Sequence, residues 1–164
     1  MAMNRTVYFG LGSNLGDRKH FLDRAIKVLS IQFGEPVAIS SIYQTAAWGL
    51  TEQPDFYNQV ISFNTAKSAS VILERILEIE KKMGRIRKTR WGPRTIDIDI
   101  LFYGHLKFTK PGLTIPHPRI SERRFVLVPL VEIAGQFIHP VYDKKLQELL
   151  DHCKDEQTVT RLTI

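Results

Sequence analysis

The chain has one cysteine, Cys153, which excludes an internal disulfide framework and a cysteine-built metal site. It has no apolar run long enough to cross a bilayer as a helix. Residues Met1 to Thr6 lack the charged-then-apolar order of a secretory leader. A cytoplasmic protein without a membrane partner is therefore expected. No Walker A loop is present. Gly10-Leu11-Gly12-Ser13-Asn14-Leu15-Gly16 fails as a dinucleotide fingerprint, because Leu15 stands where the third glycine belongs. That stretch reads instead as a tight strand-to-helix turn, with Asn14 or Asp17 near the helix start. Repeats, low-complexity segments and linkers are all missing.

What is present describes a soluble globular chain. Its 164 residues suit one domain, residues 1–164, and its 43% hydrophobic and 24% charged content are ordinary. The net charge of +6 and pI near 9.5 call for an acidic partner: nucleic acid, nucleotide or anionic membrane.

Periodicity gives the elements. Val7 to Leu11 reads as a buried strand, and Asp17 to Gln32 as a helix with Phe21, Leu22, Ala25, Ile26 and Leu29 on one stripe, stopped by Gly34. Val37 to Gln44 is the next strand, Thr45 to Pro54 a loop, and Phe56 to Thr65 an alternating strand. A second helix spans about Ser70 to Met83. Asp97 to Tyr103 is a strand, followed by a turn and a short strand near Lys107. Leu113 to Arg119 reads as irregular because of its prolines, Ser121 to Gly135 as holding a short helical piece, and Asp143 to Cys153 as a final helix. Strand, helix, strand, strand, helix, strand is the ferredoxin-like α+β plan, with an antiparallel sheet and C-terminal additions.

The chemistry concentrates in Trp91-Gly92-Pro93-Arg94-Thr95-Ile96-Asp97-Ile98-Asp99-Ile100. Ile96, Ile98 and Ile100 point one way and Asp97 and Asp99 the other. Aspartate is depleted in strands, so two on one face are unusual. Residues two apart lie about 6.5 Å apart along a strand, so both carboxylates reach one site. They would repel unless divalent cations and a polyphosphate stood between them. Mg²⁺ favours one or two carboxylates plus phosphate oxygens, and two such ions could clamp a phosphoryl group. The bland alternative is the solvated face of an edge strand. Arg85, Arg87, Lys88, Arg90 and Arg94 weigh against it, since they fit an anion held from both sides.

Three stretches together resemble the 6-hydroxymethyl-7,8-dihydropterin pyrophosphokinases of folate biosynthesis. They are Gly-Ser-Asn-Leu-Gly at 12–16, Gln-Pro-Asp-Phe-Tyr-Asn at 53–58, and the run from Gly84-Arg85-Ile86-Arg87 through Arg90 to Ile100. Ile115-Pro116-His117-Pro118 and Arg123-Arg124-Phe125 fit as well, and the likeness extends from Val7 to about Ala134. The resemblance implies transfer of pyrophosphate from ATP to the hydroxymethyl group of the dihydropterin, releasing AMP. It implies two Mg²⁺ ions on Asp97 and Asp99, with Arg85 and Arg94 completing the catalytic set. On the ATP side it implies Glu80, Arg85, Arg87, Trp91, Arg94, Ile100, Thr114, His117 and Arg123. On the pterin side it implies Thr45, Ala46, Ala47, Trp48, Asn58, Trp91 and Asp97, with Phe56 and Phe125 sandwiching the ring.

Residue chemistry supports these roles unevenly. A flat pterin needs faces to stack on, and Asn58 offers a donor and an acceptor for its edge. Core packing is the competing reading for either phenylalanine alone, and a simple loop hydrogen bond for His117. The chain departs from the family in four places. Ala46-Ala47 stands where many members carry prolines, Phe56 where tyrosine is common, Gly112 where some have a basic residue, and Pro118 where some have an aromatic. Two other functions compete: an RNA-binding ferredoxin-like module, which the strands' lack of a ribonucleoprotein aromatic pattern disfavours, and a different Mg²⁺-dependent nucleotidyl or phosphoryl transferase. The partners expected are small molecules only, with no nucleic acid, and a monomer is expected.

Overall fold

The structure, a computed structural model, describes residues 3–46, 52–84 and 95–164. Its core is β1 (Arg5–Ser13), α1 (Arg18–Phe33), β2 (Ala38–Ile39), β3 (Tyr43–Thr45), β4 (Phe56–Thr65), α2 (Ala69–Lys82) and β5 (Asp97–Tyr103). A hairpin follows, β6 (Phe108–Lys110) and β7 (Leu113–Ile115), then a 3-10 turn at Ile120–Glu122 and α3 (Arg124–Ala134). The chain ends with α4 (Leu146–Asp151) and β8 (Thr160–Arg161). The sheet order is β5-β1-β4-β3-β8, with β2 also paired to β4, and its pairings are antiparallel. This is the expected ferredoxin-like arrangement, and β5 lies at the sheet's edge.

Each face of the sheet carries its own core. Val7, Phe9, Leu11, Ile61, Phe63, Ile98 and Ile100 pack under α1 and α2. Val60, Leu101 and Phe102 pack under α3 and α4, against Leu127, Leu130 and Leu146. The stripes on α1 and α2 are what the periodicity anticipates. Asp17 caps α1 by accepting the His20 N–H at 3.1 Å, and Ser68 caps α2 by accepting that of Val71 at 3.3 Å. Asn14 does not cap. Its Nδ2 donates to Gln53 Oε1 at 2.9 Å and to the Pro54 carbonyl at 3.1 Å, which ties the end of β1 to the start of the strand beside it.

A bulge in β5 sorts its side chains. Phe9 pairs with Ile100 but Tyr8 with Phe102, so Leu101 is the extra residue. Ile98 and Ile100 therefore face α1 and α2, whereas Asp97, Asp99 and Leu101 face the α3 side. Phe102 stays on that side before Tyr103 returns to the first core.

Several boundaries differ from the sequence reading. Gly12 and Ser13 belong to β1, not to a turn; the turn is at Gly16, where φ is +72°. The stretch 37–44 is two short strands, not one. Ser40 Oγ accepts the Val60 N–H at 2.9 Å, and the Ser41 N–H turns out to the Glu132 carboxylate of α3 at 2.9 Å. Side chains thus replace ladder partners at the break. Residues 113–115 form a strand because the turn before them, at Gly112 with φ +84°, folds them back on β6. α3 is a full helix of 11 residues despite Pro129, since its apolar face is buried. The last helix is shorter than expected: Asp143 sits at φ +55° and Ile138 bridges Lys145, so residues before Leu146 form a closed turn. β8, two exposed polar-capable residues, carries no periodic signal and was not anticipated.

Candidate active site

On β1 the α3-side positions are Tyr8, Gly10 and Gly12. Gly10 pairs with Asp99 and Gly12 with Asp97 across the sheet. Two glycines inside a strand weaken it and mark a place where something must approach the backbone. Here they open a cleft of about 260 Å³ between the sheet and α3, lined by Asp97, Asp99, Asn58, His117, Arg123 and Phe125 among others. A Cβ on Gly12 would lie 3.2 Å from Asn58 Oδ1 and 3.6 Å from Phe56, and one on Gly10 would lie 3.4 Å from Leu101.

One wall is a buried amide against a hydroxyl. Asn58 Nδ2 donates to Thr45 Oγ1 at 2.9 Å, and the two residues are 8% and 3% exposed. With Nδ2 committed, Asn58 is fixed in one orientation. Phe56 and Phe125, from β4 and α3, line the same cleft as Thr45 and Ala46.

The opposite wall is cationic. Arg123 stands at the start of α3, its guanidinium 5.7 Å from the Phe125 ring centre. Burial lowers the Arg123 pKa while Asp99 and, more weakly, Asp97 raise it, so the carboxylates face a guanidinium that stays charged. His117 lies beside them. Its N–H donates to the Leu101 carbonyl at 3.0 Å, and its Nδ1 accepts the Arg119 N–H at 3.2 Å. That leaves the ring proton on Nε2. Burial first, and Arg123 second, push the His117 pKa down to about 4, so the ring is a neutral donor at pH 7.

The cleft gathers Thr45, Ala46, Phe56, Asn58, Asp97, Asp99, His117, Arg123 and Phe125, the larger part of the expected residues that are described. Three others stand elsewhere. Glu80, 3% exposed, does not line the cleft. Its Oε2 accepts the Ile98 N–H at 2.8 Å, taking an outward-facing donor of the edge strand. Ile100 is 5% exposed in the core under α1 and α2. Thr114 lies on β7, along a second cleft of about 400 Å³ that shares His117 with the first. Ala47, Trp48, Arg85, Arg87, Trp91 and Arg94 lie outside the described residues. The sequence reading missed Gly10 and Gly12 as the floor; the available signal was a glycine pair within an otherwise apolar strand.

The donor set fits Mg²⁺. Among the described residues no three His, Cys, Asp or Glu side chains gather into a full protein cage. Two carboxylates alone leave room for phosphate and water oxygens, as Mg²⁺ requires.

Glu80→Ala leaves the Ile98 N–H without its carboxylate, and stability is expected to drop by about 2–3 kcal/mol in urea unfolding; an unchanged midpoint would contradict this role. His139 is 3% exposed, its Nδ1 accepts the Val141 N–H at 3.1 Å, and burial pushes its pKa down to about 4. A histidine whose folded pKa lies below the unfolded 6.5 stabilises fully above pH 6.5, and that contribution is lost as pH falls toward 4. Stability is therefore expected to decline across that window. His139→Asn, which keeps an acceptor near Nδ1, should flatten the profile; an equally steep decline would count against it.

The sequence model of the 7,8-dihydro-6-hydroxymethylpterin-pyrophosphokinase family matches residues 8–135. The 2-amino-4-hydroxy-6-hydroxymethyldihydropteridine pyrophosphokinase of Aquifex aeolicus is 43% identical over 143 residues, 87% of this chain and 89% of that one. The enzyme of the same name from Bacillus subtilis is 42% identical, over 82% of this chain and 81% of its own. Among solved structures, Plasmodium falciparum HPPK-DHPS with pterin and p-hydroxybenzoate superposes with a TM-score of 0.73 at 17% identity. It covers 92% of this chain, which spans only 43% of that longer polypeptide, and the likeness speaks to the fold. With the family's pattern running from Tyr8 to Gly135 and relatives above 40% identity along most of both chains, this chain belongs to the 7,8-dihydro-6-hydroxymethylpterin pyrophosphokinase family.

Proposed function

We propose that residues 1–164 act as a single pyrophosphokinase domain that moves the β,γ-diphosphoryl group of ATP onto the hydroxymethyl oxygen of 6-hydroxymethyl-7,8-dihydropterin. The C–O–P bond forms as the α,β-phosphoanhydride bond breaks, the hydroxyl proton is lost, and AMP leaves. The observation that carries this reading is one cleft holding Asp97 and Asp99 together with Phe56, Asn58 and Phe125.

The pterin-side residues bind and orient. Phe56 and Phe125 offer ring faces, and Asn58, locked by Thr45, presents its amide to the heterocycle edge. The nucleotide-side residues neutralise charge. Arg123 stays cationic opposite the carboxylates, and His117 supplies a neutral Nε2–H donor without adding charge. Asp97 and Asp99 would hold two Mg²⁺ ions, which when bound screen the polyphosphate and lower the pKa of the accepting hydroxyl. Phosphoryl transfer leaves the protein little covalent work, so positioning and electrostatics account for most of the rate. Arg85, Arg87, Arg94 and Trp91 would serve the nucleotide, and Ala47 and Trp48, with Trp91, the pterin, as the resemblance implies. Glu80 acts by holding the backbone of β5 at Ile98, and Ile100 packs into the core beneath the strand. No described helix is long and apolar enough to cross a membrane.

The test is to incubate the protein with ATP, Mg²⁺ and the dihydropterin and to identify the nucleotide product. AMP formed only when the pterin is present supports the reading. ADP, or AMP formed equally without pterin, contradicts it.

A further inference from the structure

Past Gly135 the family pattern ends, yet the chain returns to the cleft. β8 pairs with β3, Tyr43 opposite Arg161 and Gln44 opposite Thr160, and the Leu162 N–H donates to the Ile42 carbonyl at 2.9 Å. Between α4 and β8, two side chains each reach a wall of the cleft. Asp155 Oδ2 accepts the N–H of Arg124 at 3.0 Å. Arg124 opens α3 between Arg123 and Phe125, and the helix has no cap from its own Arg123 side chain. An anionic acceptor there satisfies a free N–H and suits the helix dipole. The other oxygen, Asp155 Oδ1, accepts the Gln157 N–H at 3.0 Å. Gln157 Nε2 in turn donates to the Ala46 carbonyl at 2.8 Å.

The consequence lies at Ala46. It follows β3 directly, lines the cleft and is itself exposed. Ala46 has no ring to restrict its backbone, so its own side chain does not set the direction of its carbonyl. The Gln157 amide does. We propose that Gln157 is a positioning residue for the pterin-side wall, held against the start of α3 by Asp155. The C-terminal strap thereby sets the spacing of Ala46 from Arg123 and Phe125. This rests on the reading that the cleft takes a pterin.

The test compares wild type with Gln157→Ala and Gln157→Glu, the latter placing a carboxylate against the Ala46 carbonyl. Pterin affinity is measured by fluorescence titration, and both KM values, kcat and Tm are followed. One hydrogen bond corresponds to roughly a 3- to 10-fold change. The KM for pterin is expected to rise by about that factor in Gln157→Ala and by more in Gln157→Glu. ATP KM, kcat and Tm should stay close to wild type. Wild type that binds pterin, with variants that bind it equally well, overturns the positioning role. So does an equal loss for ATP and pterin accompanied by a lowered Tm. Wild type that fails to bind pterin overturns the functional reading itself, and this role with it.

Discussion

Asp99→Asn is expected to lower kcat by about 10³-fold, equivalent to roughly 4 kcal/mol of transition-state stabilisation. Pterin affinity should stay within a few-fold of wild type. Asparagine keeps the size and a carbonyl acceptor but removes the charge that a divalent cation needs. Asp99 sits opposite Gly10 on the open floor, so no side chain on β1 must adjust. Asp97 carries the same expectation for turnover, with an added loss of pterin affinity if it makes the pterin contact proposed for it. Steady-state kinetics with a separate pterin titration distinguishes the two. A variant at either position with near-normal kcat would remove the metal assignment.

Gly12→Val should have the next largest effect. A Cβ at this position lies 3.2 Å from Asn58 Oδ1, and a valine adds two methyl groups toward Phe56. The added methyl groups would fill the cleft beside Asn58, where the proposed pterin edge would be read. Affinity for the pterin is expected to fall at least about 30-fold, which is near 2 kcal/mol. Valine suits an extended strand, and β1 is extended here, so the fold should hold. Binding of a non-hydrolysable ATP analogue should persist. Circular dichroism and two titrations check this, and undiminished pterin binding would show that the floor is not where the ring lies.

The fold was legible wherever periodicity had a long run to act on. The stripes of α1 and α2 and the alternation at 96–100 place both helices and the acid-bearing face of β5. Features set by the partner strand were not legible. The bulge at Leu101 arises from pairing with β1, and no local pattern distinguishes it from continued alternation. The break between β2 and β3 depends on Glu132, which lies 91 residues away in the sequence. The prolines at 116 and 118 suggest irregular chain from Leu113 onward, yet they follow β7 and leave its short ladder intact.

The site followed the same division. Asp97, Asp99, Phe56, Asn58, Arg123 and Phe125 were named from local motifs, and the fold gathers them in one cleft. Glu80 shows the limit. The resemblance gives it a nucleotide contact, and only the folded chain shows its carboxylate bonded to the backbone of the strand that bears the aspartates. The neutral state of His117 depends on burial and on Arg123, which only the folded chain brings together. Asp155 and Gln157 carry no sequence signal, since a polar tail residue looks alike whether it reaches a wall or solvent.

The most direct measurement is crystallographic: crystals grown with Mn²⁺ in place of Mg²⁺ and a non-hydrolysable ATP analogue, with the metal located by its anomalous scattering. Metal peaks are expected between the carboxylates of Asp97 and Asp99 and the analogue's phosphate chain. A bound nucleotide with no metal at those two side chains, or with both turned away from the phosphates, would contradict the metal assignment.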